Sequence, residues 1–149
     1  MKWRLTSRRG IAVAVLMLIA FSSTAQTWLE LTAGIHRIRA EVANTSRVRA
    51  EGLMFREVLP TNSGMLFVFD GPAQHCMWMR NTLIPLSVAF IDEKGVIINV
   101  EEMFPQTEDN HCAARPAKFA LEMNAGWFKG RGLGQGAFLT GIDKVPAAR

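Results

Sequence analysis

The chain is 149 residues long, 49% hydrophobic and 20% charged, with a formal net charge of +4. That excess comes entirely from Lys2, Arg4, Arg8 and Arg9, so residues 26–149 hold 13 Lys plus Arg against 13 Asp plus Glu. A balanced remainder with no cluster of basic and aromatic side chains excludes the electrostatic footprint of nucleic-acid binding.

The basic start leads into an uninterrupted apolar run from Ile11 to Phe21, and Ser23 and Ala25 then put small side chains where a signal peptidase reads. This order predicts a cleavable secretory signal over residues 1–25, leaving Gln26 as the mature N-terminus. A membrane-spanning helix needs about 20 apolar residues, so an uncleaved anchor fits less well. No Cys follows the cut to carry a lipid, and Gly10 and Ala12 depart from a twin-arginine pattern, which leaves general secretion. The protein is thus expected to be periplasmic or secreted and to meet the membrane only transiently, through its signal peptide. The 124 residues that remain suit one β-rich domain with one core.

Trp28 to Leu31 and Ile35 to Val42 read as strands. In the second, His36, Ile38, Ala40 and Val42 alternate with Arg37, Arg39 and Glu41, the period of a strand with one wet face. Thr45 or Ser46 caps a short helix running to about Arg56, weakened by Gly52. After the loop of Pro60, Asn62, Ser63 and Gly64, the run Met65 to Phe69 predicts a buried strand that Asp70-Gly71-Pro72 ends. The clearest local signal is a hairpin, in which Asp92-Glu93-Lys94-Gly95 joins Leu86 to Ile91 with Val96 to Val100. Pro105 to Pro116 reads as a loop and Phe119 to Asn124 as another strand. Ala125 to Lys129 suits one helical turn, and Ala137 to Ile142 a last strand. Gly132, Gly134 and Gly136 precede a β-like tail and not a helix, so they mark a turn and not a phosphate loop. Short strands about ten residues apart predict a mainly β fold, a small sandwich, jelly-roll-like domain or partly closed barrel with one or two short helices.

Four blocks carry a family resemblance. They are Arg49-x-x-Gly52-Leu53-Met54-x-Arg56 with Gly64-Met65-Leu66-Phe67-x-Phe69; Met77 through Leu86 with Phe90-Ile91-Asp92; Pro105-Gln106-Thr107-Glu108; and Ala120 through Phe128. Together they resemble DUF192, an exported bacterial and archaeal family of unknown function. The resemblance implies a small β-sandwich or jelly-roll-like domain and no established catalytic role. Ser87 stands where that family often carries an acid.

Cys76 and Cys112 are the only cysteines. In an oxidising compartment they are expected to pair, closing a loop of about 37 residues for about 3–4 kcal/mol. Free thiols are one alternative. Another is a soft-metal site for copper or zinc, built from the His75-Cys76 and His111-Cys112 pairs with Met77 and Met79. Adjacent strand residues point to opposite faces, which works against the metal site.

Polar residues within apolar runs must find partners or a ligand. Structurally, Arg56 would pair with Glu122, while Asn81 and Thr82 tie down a turn before Pro85. Functionally, Arg56, Trp78, Asn81, Thr82, Glu122, Asn124 and Trp127 form a candidate ligand site, with Arg56 for an anionic group and the tryptophans for a ring. A hydrolase using Glu108 and Glu122 is a further possibility. With no nucleophile elbow, zinc-protease helix or phosphate loop, no catalytic residue is assigned and no cofactor is implied. The expectation is an exported binding or accessory protein whose partner is a small molecule or an extracytoplasmic protein.

Overall fold

A computed structural model of the chain describes residues 27–149, and the expected signal peptide lies outside them. The described residues form nine strands: β1 (Trp28–Ala33), β2 (His36–Ala43), β3 (Ser63–Ala73), β4 (Cys76–Met77), β5 (Leu86–Ile91), β6 (Ile97–Met103), β7 (His111–Cys112), β8 (Ala117–Asn124) and β9 (Leu139–Thr140). One α-helix, α1 (Ser46–Glu51), joins β2 to β3.

Seven strands make one sheet in the order β6-β5-β8-β3-β2-β1-β9, and β4 pairs with β7 in a separate two-stranded ribbon. Only β2 and β3 run parallel, because α1 and the following loop carry the chain back before β3 begins. The sheet curls into a half-barrel, so of the forms expected from the sequence the partly closed barrel is the one observed. The tail spans its two edges. Leu139 and Thr140 pair with β1, while Ala137 and Leu139 exchange backbone hydrogen bonds with Ile97 and Gly95 beside β6.

Alternation along the strands sorts the core into two layers. Leu31, Ile38, Leu66, Ile91, Leu121 and Phe128 fill the inside of the curl together with Leu139. Met65, Phe67, Val88 and Phe90 face the other way, packed under Leu53, Met79 and the long connections. Both faces are therefore covered, and β8, expected to alternate wet and dry, is buried at every position from Phe119 to Met123. Gly64 lets β3 and β8 approach, since a Cβ there would collide with the Glu122 carbonyl and the Met123 sulfur.

The hairpin stands as expected: Gly95 takes φ +88, and the Asp92 carboxylate accepts from the backbone N–H groups of Lys94 and Val96. Four boundaries move. Helix α1, capped by the Thr45 hydroxyl, stops at Gly52 and not near Arg56. Strand β3 continues through Asp70-Gly71-Pro72 to Ala73 with a register shift after Val68. The Pro105 to Pro116 loop contains β7. The expected helical turn at Ala125 to Lys129 appears instead as a 3-10 turn over Lys129–Arg131.

Candidate functional site

The site begins with a cross-strand row on the outer layer. Glu41 of β2 pairs with Met65 of β3, Met65 with Glu122 of β8, and Glu122 with Val88 of β5. Two carboxyl groups thus project from the same face, two strand spacings or about 10 Å apart. Over this row lie α1 and the loop after it, together with the segment from Gln74 to Leu83. The Cys76–Cys112 disulfide, 36 residues apart in sequence, staples β4 to β7 within that cover.

Between sheet and cover is a cavity of about 260 Å³. Phe67 and Phe69 from β3, Leu53 and Met54 from the turn after α1, and Met77 and Trp78 from the cover supply its apolar wall. Its polar groups are Thr82 and Glu122, with Arg49 and Glu51 of α1. A wider depression of about 530 Å³ beside β9 is lined by the exposed side chains of Glu30, Arg37, Asp143 and Lys144, which water already serves.

Among the described residues four polar side chains are buried: Glu41, Thr82, Ser87 and Glu122. Glu41 receives two hydrogen bonds from the Arg56 guanidinium, at 2.8 and 2.6 Å. Ser87 donates to the Glu102 carboxylate at 2.7 Å and accepts from the Gly126 N–H at 2.8 Å. A carboxylate from the neighbouring strand is thereby held at Ser87. Thr82 and Glu122 differ. Neither side chain is hydrogen-bonded to a described residue, yet among the described residues no fully enclosed side-chain oxygen or nitrogen lacks a partner. Their polar atoms must therefore open onto the cavity they line. Burial alone pushes the Glu122 carboxyl from an ordinary 4.5 up to about 8, so it is predominantly protonated at neutral pH.

The structure brings together only part of the residue set read from the sequence. Trp78, Thr82 and Glu122 share the cavity. Arg56 does not pair with Glu122 as expected; it is held by Glu41, which sequence reasoning had placed on the wet face of β2. Arg37 and Arg39 are exposed there, but the cover passes over the end of the strand and buries Glu41. Asn81 is exposed, in a left-handed conformation at φ +57, and its carbonyl accepts from the Phe55 N–H, so it fixes a turn. Asn124 donates to the carbonyls of Leu59 and Pro60. Trp127 lies in the inner core, its indole N–H donating to Asn62 and its ring beneath Arg131 at 4.3 Å.

The alternatives can be placed as well. Both sulfurs are consumed by the disulfide, which removes the thiolates the soft-metal site required. Among the described residues, no group of three or more His, Cys, Asp or Glu gathers as a metal site. Glu108 pairs with Arg80 at the exposed surface, 3.0 Å apart, and does not line the cavity with Glu122. The residues missed by sequence reasoning, Leu53, Met54, Phe67 and Phe69, carry no polar signal; Phe67 and Phe69 are separated by the two-residue strand period that puts them on one face.

The DUF192 family, described as Uncharacterized ACR, matches residues 27–141. No curated protein matches the chain. A Sinorhizobium meliloti 1021 protein, provisionally named a transcription regulator, superposes with a TM-score of 0.72 at 33% identity, over 78% of this chain and 94% of its own. A Novosphingobium aromaticivorans protein of unknown function superposes with a TM-score of 0.71 at 30% identity, over 88% of this chain and 99% of its own.

Proposed function

The chain belongs to the DUF192 family, and from its cavity we propose that it is an exported binding protein for a small, partly apolar ligand. One observation carries the reading. Of the four buried polar side chains, the two with protein partners lie outside the cavity and the two without partners line it. Their polar atoms face the cavity without a protein partner, so a ligand there can supply hydrogen bonds that the protein does not. Apolar walls with a few convergent polar groups are the usual form of a small-molecule site. Trp78, half-exposed at the rim, offers a ring surface and a fluorescence reporter.

Export is the companion proposal, supported by the charged, apolar and small-residue order of residues 1–25 and by a disulfide suited to an oxidising compartment. The regulator name of the Sinorhizobium protein suggests DNA as a partner. The charge balance of residues 26–149 supports no such contact.

The test is to express the full precursor in a Gram-negative host and examine the periplasmic fraction by native mass spectrometry. A chain starting at Gln26 with a small molecule bound is the expected species, and the Thr82→Val/Glu122→Leu double variant should lose that molecule. A cytosolic chain retaining Met1 would sink the export reading. A folded double variant that keeps its adduct would sink the cavity reading.

A further inference from the structure

The chemistry of the cavity narrows the ligand class, on the reading that the cavity binds one. Its charged groups settle the sign first. Arg49 is engaged elsewhere: its guanidinium donates to the carbonyls of Asn44 and Val68 and pairs with Asp70 at 3.4 Å. Arg56, which sequence reasoning offered to an anion, is held in two hydrogen bonds by Glu41. The cavity therefore contains no uncommitted cation among the described residues, while two of its carboxyl groups, Glu51 and Glu122, have no basic partner there.

The elements packed around Glu122 add no positive charge that is not already engaged elsewhere. Its cross-strand neighbours are Met65 and Val88. Beyond them come Glu41, already paired, and Glu101, which accepts from the Asn99 amide. From the helix side come Arg49 and Glu51.

Three rings share the cavity with that carboxyl: Phe67, Phe69 and Trp78. Aromatic faces attract cations, most strongly where water is excluded. His75 stacks on Phe69 with centroids 3.7 Å apart, and Arg80 lies over Trp78 at 5.0 Å. Neither His75 nor Arg80 lines the cavity, so the ring surface turned to it remains available. Thr82 adds a hydroxyl that accepts a hydrogen bond.

We infer that the ligand is a small primary amine on an apolar body, its ammonium held by Glu122 among the aromatic rings and donating a further hydrogen bond to Thr82. An anion meets carboxyl groups and no uncommitted cation, and a neutral alcohol leaves the aromatic surface without its electrostatic match. Because Glu122 is protonated in the empty site, an arriving ammonium displaces that proton to solvent. Binding therefore tightens about tenfold per pH unit below the carboxyl's pKa and levels off above it.

Benzylamine, benzyl alcohol and benzoate share one ring and differ in the group presented to Glu122. Each is titrated calorimetrically into the exported protein between about pH 6 and about pH 8, in buffers of different ionisation enthalpy. Benzylamine should bind at least about tenfold tighter than the other two at the upper pH, release about one proton, and strengthen with pH. Glu122→Gln should abolish the pH dependence and weaken benzylamine about tenfold or more, while Thr82→Val weakens it with the pH dependence intact. If benzyl alcohol or benzoate binds as well as benzylamine, or if benzylamine binds without pH dependence or equally well to Glu122→Gln, the amine is overturned and the cavity reading stands. If none of the three binds, or the trio leaves Trp78 fluorescence and calorimetry alike unchanged, both fall together.

Discussion

Removing a carboxyl group from water without giving it a partner favours its neutral form, and the cost appears as a dependence of stability on pH. The unfolded chain releases the Glu122 proton near 4.5, whereas the folded protein keeps it to about 8. Between those values the folded state holds more protons, so this group's contribution falls as pH rises. It is undiminished below about 4.5 and fully lost above about 8, a swing on the order of 5 kcal/mol. Glu122→Gln should leave stability at acid pH nearly unchanged and raise it progressively toward alkaline pH, as read by urea denaturation across that range. A variant that tracks the parent at every pH would mean that Glu122 is not desolvated. Glu41, by contrast, has a protein partner, the Arg56 guanidinium. Arg56→Met strands that buried carboxylate and should destabilise the protein by about 3–5 kcal/mol, with Glu41→Gln in the same chain recovering most of the loss. Arg56→Met alone costing nothing would show the pair to be dispensable. The sequence marked Glu122 as a polar residue inside an apolar run, but it could not identify Arg56's partner. Alternation along β2 places Glu41 beside Arg37 and Arg39, and only the cover folded over the strand end separates them.

At the scale of elements, local signals carried the sheet and failed on the cover. The β5–β6 hairpin and the strand character of β1, β2 and β8 are written in alternation and turn residues, which act over a few positions. The cover is shaped by Phe55, Asn81 and Gln106, all left-handed although none is glycine, and by backbone hydrogen bonds from Phe55 to Asn81 and from Gln106 to Thr82. Such conformations are imposed by contacts between distant segments, so nothing local announces them. The same reason hides β7 inside a polar loop, where two residues become a strand only because β4 lies alongside. A ribbon of two-residue strands buries little and leans on its covalent link. Cys76→Ser with Cys112→Ser should therefore lower stability by about 3–4 kcal/mol through the released loop entropy. The loss should be accompanied by faster hydrogen exchange at Met77 and Ala113 than at β5 or β8, which the sheet protects independently. Uniform acceleration across both regions would instead make the ribbon part of the main cooperative unit.

For the molecule as a whole, the decisive contacts are the most distant in sequence, and the tail makes them. A curled open sheet has two edges whose unpaired backbone groups invite association with other chains. Here the segment 136–140 serves both. Gly136 donates to the Ile97 carbonyl at 2.9 Å and Ile97 to the Ala137 carbonyl at 2.8 Å, while Leu139 and Thr140 pair with Ala33 and Thr32. The buried Leu139 side chain also closes the inner core, and farther on the Arg149 N–H donates to the Asn44 carbonyl at 2.7 Å. Sequence reasoning assigned this tail a strand from Ala137 to Ile142, longer than the two residues found, because a segment bridging two edges satisfies each only briefly. Shortening the chain to end at Gln135 should uncover both edges together with part of the inner core. The truncated protein is expected to elute as larger species than the untruncated protein at the same concentration, with elevated dye binding to exposed apolar surface. Leu139→Ala keeps the backbone pairing and removes only side-chain packing, so it should cost about 2–5 kcal/mol without promoting association. That contrast separates edge protection from core filling. A truncated chain that elutes at the parent's assembly state with its stability intact would show that the sheet does not depend on the tail for closure.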